Sequence, residues 1–353
     1  MASVETQIIG TEQSGAWARI PVAYWIVGVA LLLLPGIGEE NSFYYTDIIG
    51  RALILGMIAL SLMLLAGYGG MVSLLQMSIA ALAGYMVAIL GDSAITTISL
   101  GWPWYVAIPA GIFIAALFAT VCGWLAVRTE GIYTIMITLA IASAFFYFTR
   151  QNYVIFNGFS GFNGIFPPKL FGVEWNTDIP FYYLTLFWAA LSFWVVLYIS
   201  RSPFGLALQG VRDNPRRMAA LGFNVTAHRV AAYTLAGVIA ALGGILQTWE
   251  LNQVSPGSAG IDRVIDILII AVIGGLRRPT GPFIGALIYV LLDTFAKDLL
   301  VSLGMAGERF QLLIGLGFLV IVFWSPDGIL GLWDRWKENR GRDPLTGERE
   351  ERL

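Results

Sequence analysis

RALILGMIALSLMLLAGYGGMVSLLQMSIAALAGYMVAIL, residues 51–90, holds one charged side chain, the arginine at its start. Two apolar runs, 46–66 and 71–90, meet across AGYGGMVSLLQ, residues 66–76, which carries three glycines. Each run is close to the roughly 20 residues a helix needs to cross the hydrocarbon core. Similar runs fall near 22–36, 103–127, 131–149, 180–200, 229–248, 264–276, 280–296 and 309–325, about ten in all. They predict an all-α membrane protein of about ten transmembrane helices, some of them short or broken at Gly and Pro.

Composition points the same way. The chain is 57% hydrophobic and 12% charged, against about 25% charged in an average soluble domain. Its 40 glycines suit a membrane bundle, where small residues let helix backbones approach closely. A net charge of -2 gives no broad field for nucleic acid. Cys122 stands alone in an apolar run and His228 is the single histidine, so neither a disulfide framework nor a metal cluster is expected. No G-x-x-x-x-G-K-[ST] loop occurs, which excludes ATP hydrolysis by that motif.

Lysine and arginine set the orientation. With the N-terminus inside and ten crossings, 15 of the 21 cationic residues fall on the cytoplasmic side and 6 outside. Both termini are then cytoplasmic. The polar residues 1–20 lack a basic start, so the first run is expected to be a retained helix rather than a signal peptide. The organisation is an N-terminal segment 1–20, a transmembrane domain 21–333 and a charged tail 334–353. A cytoplasmic loop at 201–229 and an outer loop at 150–179 interrupt the domain.

A second glycine- and proline-rich break, VIGGLRRPTGPFIGAL, occupies residues 272–287. Paired breaks of this kind suggest an internal repeat with discontinuous helices. Tight cytoplasmic turns between hairpins are the alternative. Gly67, Gly69, Gly70, Ser73, Gln76, Gly274 and Gly275, in these two stretches, are the candidates for a translocation path.

The loop RSPFGLALQGVRDNPRRMAALGFNVTAHR, residues 201–229, carries five arginines. Asn214 suits an N-cap, Pro215 the first helical position and Gly222 the residue after the last turn, which predicts a helix of about two turns. So short a helix is marginal alone in water, so it is expected to dock on a partner. An ordinary positive-inside loop accounts for the charges but not for the capping signals.

RDNPRRMAALGFNVTAHRVAAYTLAGVIAALGGIL, residues 212–246, resembles the cytoplasmic signature of permease subunits of ATP-binding-cassette importers, and more narrowly the branched-chain amino acid permease family. GYGGMVSLLQMSIAALAGYMVAIL (67–90), RTEGIYTIMITLAIA (128–142), GGLRRPTGPFIGALIYVLLD (274–293) and SPDGILGLWDR (325–335) fit the same family in the same order. GFSGFNGI (158–165) is similar to its external glycine motif. The chain departs from the pattern at Leu75, where the family usually has glycine, and at Arg277 and Arg278, where small or aliphatic residues are common.

The resemblance implies a non-catalytic inner-membrane subunit forming half of a pathway for branched-chain or related amino acids. Implied partners are a second related permease, two ATPase subunits that bind the ATP and Mg, an external substrate-binding protein and membrane lipid. No cofactor is implied in this chain itself. The helix near 214–222 becomes the coupling helix, with Arg212, Asp213, Asn214, Pro215, Arg216, Arg217, Ala219, Ala220 and Gly222 at the ATPase contact and force passing into the helix that follows Arg229. The loop 150–179 is a candidate dock for the binding protein, or a surface loop held by aromatic anchors. Asn163, Asp262 and Asp266 are candidate external contacts; the two aspartates either attract an ammonium group or sit at the water interface paired with Arg263.

Rival cargoes for the same machine are urea, short amides or a sugar. An ion-driven secondary transporter would place charges near mid-membrane, where this chain has almost none. An intramembrane enzyme would need a His, Cys or carboxylate constellation that the inventory lacks.

Overall fold

The structure, a computed structural model, describes residues 44–169 and 174–302, with isolated positions at 28, 31, 32, 172, 315 and 328. Apart from those positions, the runs expected at 22–36 and 309–325 lie outside the described residues, as do the segments 1–20 and 334–353. The chain is otherwise almost wholly helical. Helix α1 (Arg51–Met63) is extended by π-helical turns at Tyr44–Gly50 and Leu64–Tyr68. It is followed by α2 (Gln76–Leu90), α3 (Trp104–Ala126), α4 (Ile132–Gln151) and α5 (Asp178–Arg201). Next come α6 (Pro203–Asp213), α7 (Pro215–Ala220), α8 (Val225–Leu251), α9 (Ile261–Gly274) and α10 (Gly281–Ser302).

Thr46–Tyr68, Trp104–Ala126, Ile132–Gln151, Asp178–Arg201 and Val225–Leu251 are long and apolar enough to cross a membrane, and Gln76–Leu90 and Gly281–Phe295 are shorter apolar helices. Large apolar side chains stand bare on α3 and α5, among others. Phe113, Leu117 and Val121 on α3, and Phe187, Leu191 and Val195 on α5, follow a four-residue spacing that places them on one face. Apolar surface of this extent fits contact with lipid rather than water.

Helix α1 is the centre of the bundle, with Ile54, Met57, Ile58, Leu60 and Met63 fully buried. Helix α8 packs against α1, α2 and α3 through small residues. A Cβ at Gly244 would collide with the Ala80 backbone, and one at Gly84 with Thr248 Oγ1. These paired contacts advance together by four residues, so α2 and α8 run parallel. Gly237 meets Ala119 and Gly123 meets Tyr233, an opposite progression, so α3 runs antiparallel to α8. Those directions agree with alternate crossings.

The connections gather at two ends. At one, the segment after α2 joins the segment before α5 through Ala94 N–H to the Asn163 carbonyl at 2.9 Å. There β1 (Phe162–Asn163) pairs antiparallel with β2 (Gln253–Val254), Phe162 opposite Val254. At the other end, Arg212 meets Gly67, Arg229 meets Glu130, and Gly67 meets Leu276. The positive-inside assignment makes the first end outer and the second inner.

One expected bound needs correction, one of two open readings is met, and one helix is new. The run 71–90 becomes helical only at Gln76; residues 69–75 are irregular, although Ser73 is 1% exposed and Leu75 is fully buried. The cause is the helix stop at Gly69 and Gly70, the latter at φ +67°. Met71 N–H reaches the Leu65 carbonyl and Leu74 N–H reaches Thr138 Oγ1. Irregular backbone at membrane depth is tolerated when it is buried in protein in this way. Helix α2 has 15 residues, a rise of about 22 Å against the ~30 Å core, so the irregular segment completes the crossing. The break at 275–280 is a tight turn, one of the two readings open from sequence, with Gly275 at φ +103° and Gly281 N–H bonded to the Arg278 carbonyl at 2.9 Å. Finally, the loop 201–229 contains an unforeseen 11-residue helix, α6, while α7, 6 residues long, is the expected short helix of about two turns.

Candidate functional site

The inner end is built around α7. Asn214 Oδ1 accepts from Arg217 N–H at 2.9 Å, and Pro215 opens the helix. Gly222 sits at φ +91°, with its N–H on the Ala219 carbonyl and Phe223 N–H on the Met218 carbonyl. That paired pattern is a Schellman C-cap. Both ends are therefore satisfied locally, yet α7 buries none of its residues. Ala219 and Ala220 are exposed, and Leu221 is 67% exposed. The attachment to the rest of the chain is Met218, whose side chain lies where a Cβ of Gly210 on α6 would be. Helix α6 is anchored by its buried face, Ala207, Leu208 and Val211.

With no burial to offset it, α7 depends on its cap. Replacing Asn214 with Ala should cost about 1 kcal/mol, raising amide exchange across 217–221 by about fivefold in hydrogen-exchange mass spectrometry. Asn214→Ser should keep exchange near the parent rate. Equal exchange in the parent and the Ala variant would show that something other than the cap holds the turn.

Arg212, at the end of α6, points back to the bundle. Its stem lies where a Cβ of Gly70 would be, Nη1 donates to the Gly67 carbonyl at 2.5 Å, and Nε donates to Asp213 Oδ1 at 2.9 Å. Gly67 in turn faces the Leu276 carbonyl so closely that a Cβ there would overlap it. One side chain and one carbonyl thus join the loop 201–229 to both glycine breaks. Below the first break, Ser61 Oγ lies 2.9 Å from Gln76 Oε1, while Gln76 Nε2 has no partner in the structure. Gln76 is 2% exposed, so it and Ser73 are sealed inside the bundle here.

At the outer end a cavity of about 280 Å³ opens between α1, α2, α8, α9 and α10. Arg51, Glu250, Arg263 and Asp266 line it beside apolar Leu55 and Ile267. Arg51 reaches Asp293 on α10 at 3.3 Å, and Arg263 lies 3.7 Å from Asp266. The outer loop is folded rather than loose: Phe156, Phe162 and Ile165 are buried under it, while Val154 and Phe159 are exposed.

Residues 44–322 match the family model described as the branched-chain amino acid transport system permease component. The chain belongs to this permease family. Among curated relatives of this permease, the high-affinity branched-chain amino acid transport system permease protein LivM of Salmonella typhimurium is 24% identical over 296 residues. That alignment covers 77% of this chain and 65% of LivM. The ribose import permease protein RbsC of Bacillus subtilis is 30% identical over 156 residues, 44% of this chain and 47% of RbsC. The nucleoside ABC transporter permease protein NupC of Lactococcus lactis is 31% identical over 110 residues, 30% of this chain and 33% of NupC. No solved structure matches.

Within this permease, some of the inner residues named from sequence come together, apart from the exposed residues of α7: Arg212 meets Gly67 and Gly70, and Gly67 abuts Leu276. Gly274 packs on the Gly281 backbone beside them. The outer residues do not. Asp266 lines the cavity, whereas Asp262 is exposed outside its lining and Asn163 is held in the β1–β2 pair. Sequence reasoning passed over the aromatic clamp on His228, which stacks on Phe204 at 5.7 Å and meets Phe223 edge-on at 5.7 Å. It also left Arg51 apart from Glu250 and Asp266, since about 200 residues of sequence separate Arg51 from them.

Proposed function

We propose that this chain is the transmembrane permease subunit of a binding-protein-dependent ABC importer in the inner membrane. It forms half of a pathway for branched-chain or related amino acids, with a second permease as the other half. Two separate ATPase subunits hold ATP and Mg, and an external binding protein delivers the solute to the end that carries the outer loop. The carrying observation is α7, a doubly capped helix that buries nothing and hangs from the inner end where both glycine breaks converge. A groove on an ATPase subunit would supply the burial that the helix lacks alone.

LivM supports amino acids as the cargo, and its alignment covers more of this chain than that of RbsC or NupC. The ribose and nucleoside relatives keep a sugar-type cargo as the second reading. The test is reconstitution with the partner permease, ATPases and binding protein, then ATP-dependent uptake of labelled leucine, urea and ribose. Leucine uptake that needs ATP is expected. Uptake by this chain alone on a proton or sodium gradient would remove the proposal.

The contact itself is tested at Ala220, an exposed small residue on α7. Ala220→Trp should weaken co-purification of the ATPase subunits by about tenfold or more, a typical penalty for overfilling a packed contact. Membrane insertion should be unaffected. Normal assembly and uptake would place the ATPase contact elsewhere.

A further inference from the structure

We propose that the outer cavity is a binding station for the head group of an α-amino acid zwitterion, so that the permease itself reads the two charges its cargo carries. This rests on the importer function proposed above.

The cavity's charges are unequally committed. Arg51 and Asp293 form a clamp between α1 and α10 at 3.3 Å, with the Asp293 side chain 9% exposed. Arg263 is held more loosely. Its distance of 3.7 Å to Asp266 lies beyond hydrogen-bond reach, and its side chain is 51% exposed. Glu250 lines the same cavity and makes no ion pair among the described residues. Arg263, half-exposed, has only a loose partner in Asp266, and Glu250 has no cation within ion-pair distance among the described residues, so a guest can engage both. Both belong to helix ends that a membrane protein holds close to low-dielectric surroundings, where an ionised side chain is costly without a partner.

The rest of the lining includes apolar side chains. Leu55, Met77 and Ile267 line the cavity and are buried. A guest that fits has a carboxylate for Arg263, an ammonium for Glu250 and a small apolar branch between Leu55, Met77 and Ile267. A guest with one charge leaves the other protein group unpaired. The volume, about 280 Å³, sits just below the ~300–1,000 Å³ of drug-sized pockets, so the guest must be small. The position suits delivery as well. Gln253 lines the cavity and pairs with Asn163 of the outer loop, so the station lies directly beside the surface to which a solute would be handed.

The test uses the permease assembled with its partner permease and ATPases in lipid nanodiscs, without binding protein. Saturation-transfer NMR is recorded with leucine, isoamylamine, 4-methylpentanoate and ribose as probes. Leucine should give a signal, and the two half-ligands and ribose should bind about tenfold more weakly or not at all, the usual effect of losing a charge-assisted hydrogen bond. Glu250→Gln and Arg263→Gln should each lower the leucine signal, and should lower leucine uptake by the full importer by about tenfold at saturating loaded binding protein. Stimulation of ATP hydrolysis by the binding protein should persist, which a merely misfolded outer end would not allow. Leucine uptake at the parent rate in both variants overturns the station alone. So does equal binding of leucine and the half-ligands to the parent complex, a comparison that stands even where a variant fails to assemble. An importer that moves ribose and no amino acid overturns the proposed cargo and the station together.

Discussion

Gly244→Leu is expected to lower the yield of folded, monodisperse permease by more than about tenfold. Position 244 lies on α8 where it crosses α2. A Cβ there falls on the oxygen, carbonyl carbon and Cα of Ala80. Backbone has no rotamer to turn aside, so the two helices must separate. Separation also opens the next contact along the same pair, Gly84 against Thr248. Overpacking a side-chain contact typically costs about 1–3 kcal/mol, and a backbone collision sits at or above the top of that range. Lipid gives little back, because tails are as apolar as the leucine and supply no force to hold separated helices together. Gly244→Ala should fall between the parent and the Leu variant. Gly257→Ala should melt like the parent, since a Cβ there meets only Ser255 Oγ at 3.5 Å. Fluorescence-detected size exclusion and thermal melting check the series, and a parent-like Leu variant would mean that α2 and α8 are not held this close.

Gly244 also illustrates what was legible in the sequence. Helices α3, α4 and α5 start and stop within two residues of the expected runs, because long apolar stretches bounded by polar loops leave one solution in lipid. The caps of α7 were readable for a similar reason: Asn, Pro and Gly each have one favoured place at a helix end, and Asn214, Pro215 and Gly222 occupy those places. The start of α2 was not readable. Met71, Leu74 and Leu75 are as apolar as any helical run; the glycines at 69 and 70 mark a stop, but how far the irregular backbone runs past them depends on its burial and on the Thr138 bond to Leu74. Helix α6 was hidden because its apolar face is only Ala207, Leu208 and Val211. The outer cavity was the least accessible. Asp262 and Asp266, four apart, suggested one acidic face, but the fold uses Asp266 and recruits Arg51 and Glu250 from other helices. Periodicity reports what shares a face, not which faces meet.

The second large effect is expected at Arg212, and it tests how force would leave the loop 201–229 under the proposed coupling. Arg212→Ala should cut solute uptake by about tenfold or more while the ATPases stay bound and continue to hydrolyse ATP, the loss of a charge-assisted bond and of the stem's contact with Gly70 being enough for that factor. The variant leaves α7 intact, because the cap on Arg217 N–H comes from Asn214. What it removes is the link from α6 to the Gly67 carbonyl and the stem lying over Gly70. Since Gly67 abuts the Leu276 carbonyl, both glycine breaks lose their tie to the loop at once. Arg212→Lys keeps charge and stem but not the forked geometry, and should fall between. Gly70→Val reaches the same link from the other side: it displaces the Arg212 stem and strains a residue at φ +67°. The competing route runs through the start of α8, where His228 stacks on Phe204 and Arg229 lies 3.8 Å from Glu130. That ion pair is weak by distance, and the Glu130 side chain is 78% exposed. The stack is apolar contact without a fixed direction, whereas the Arg212 bond is directional and ends on the segment where the helix is already broken. If Arg212→Ala transports normally and His228→Ala does not, force passes through α8 and the glycine breaks follow rather than lead.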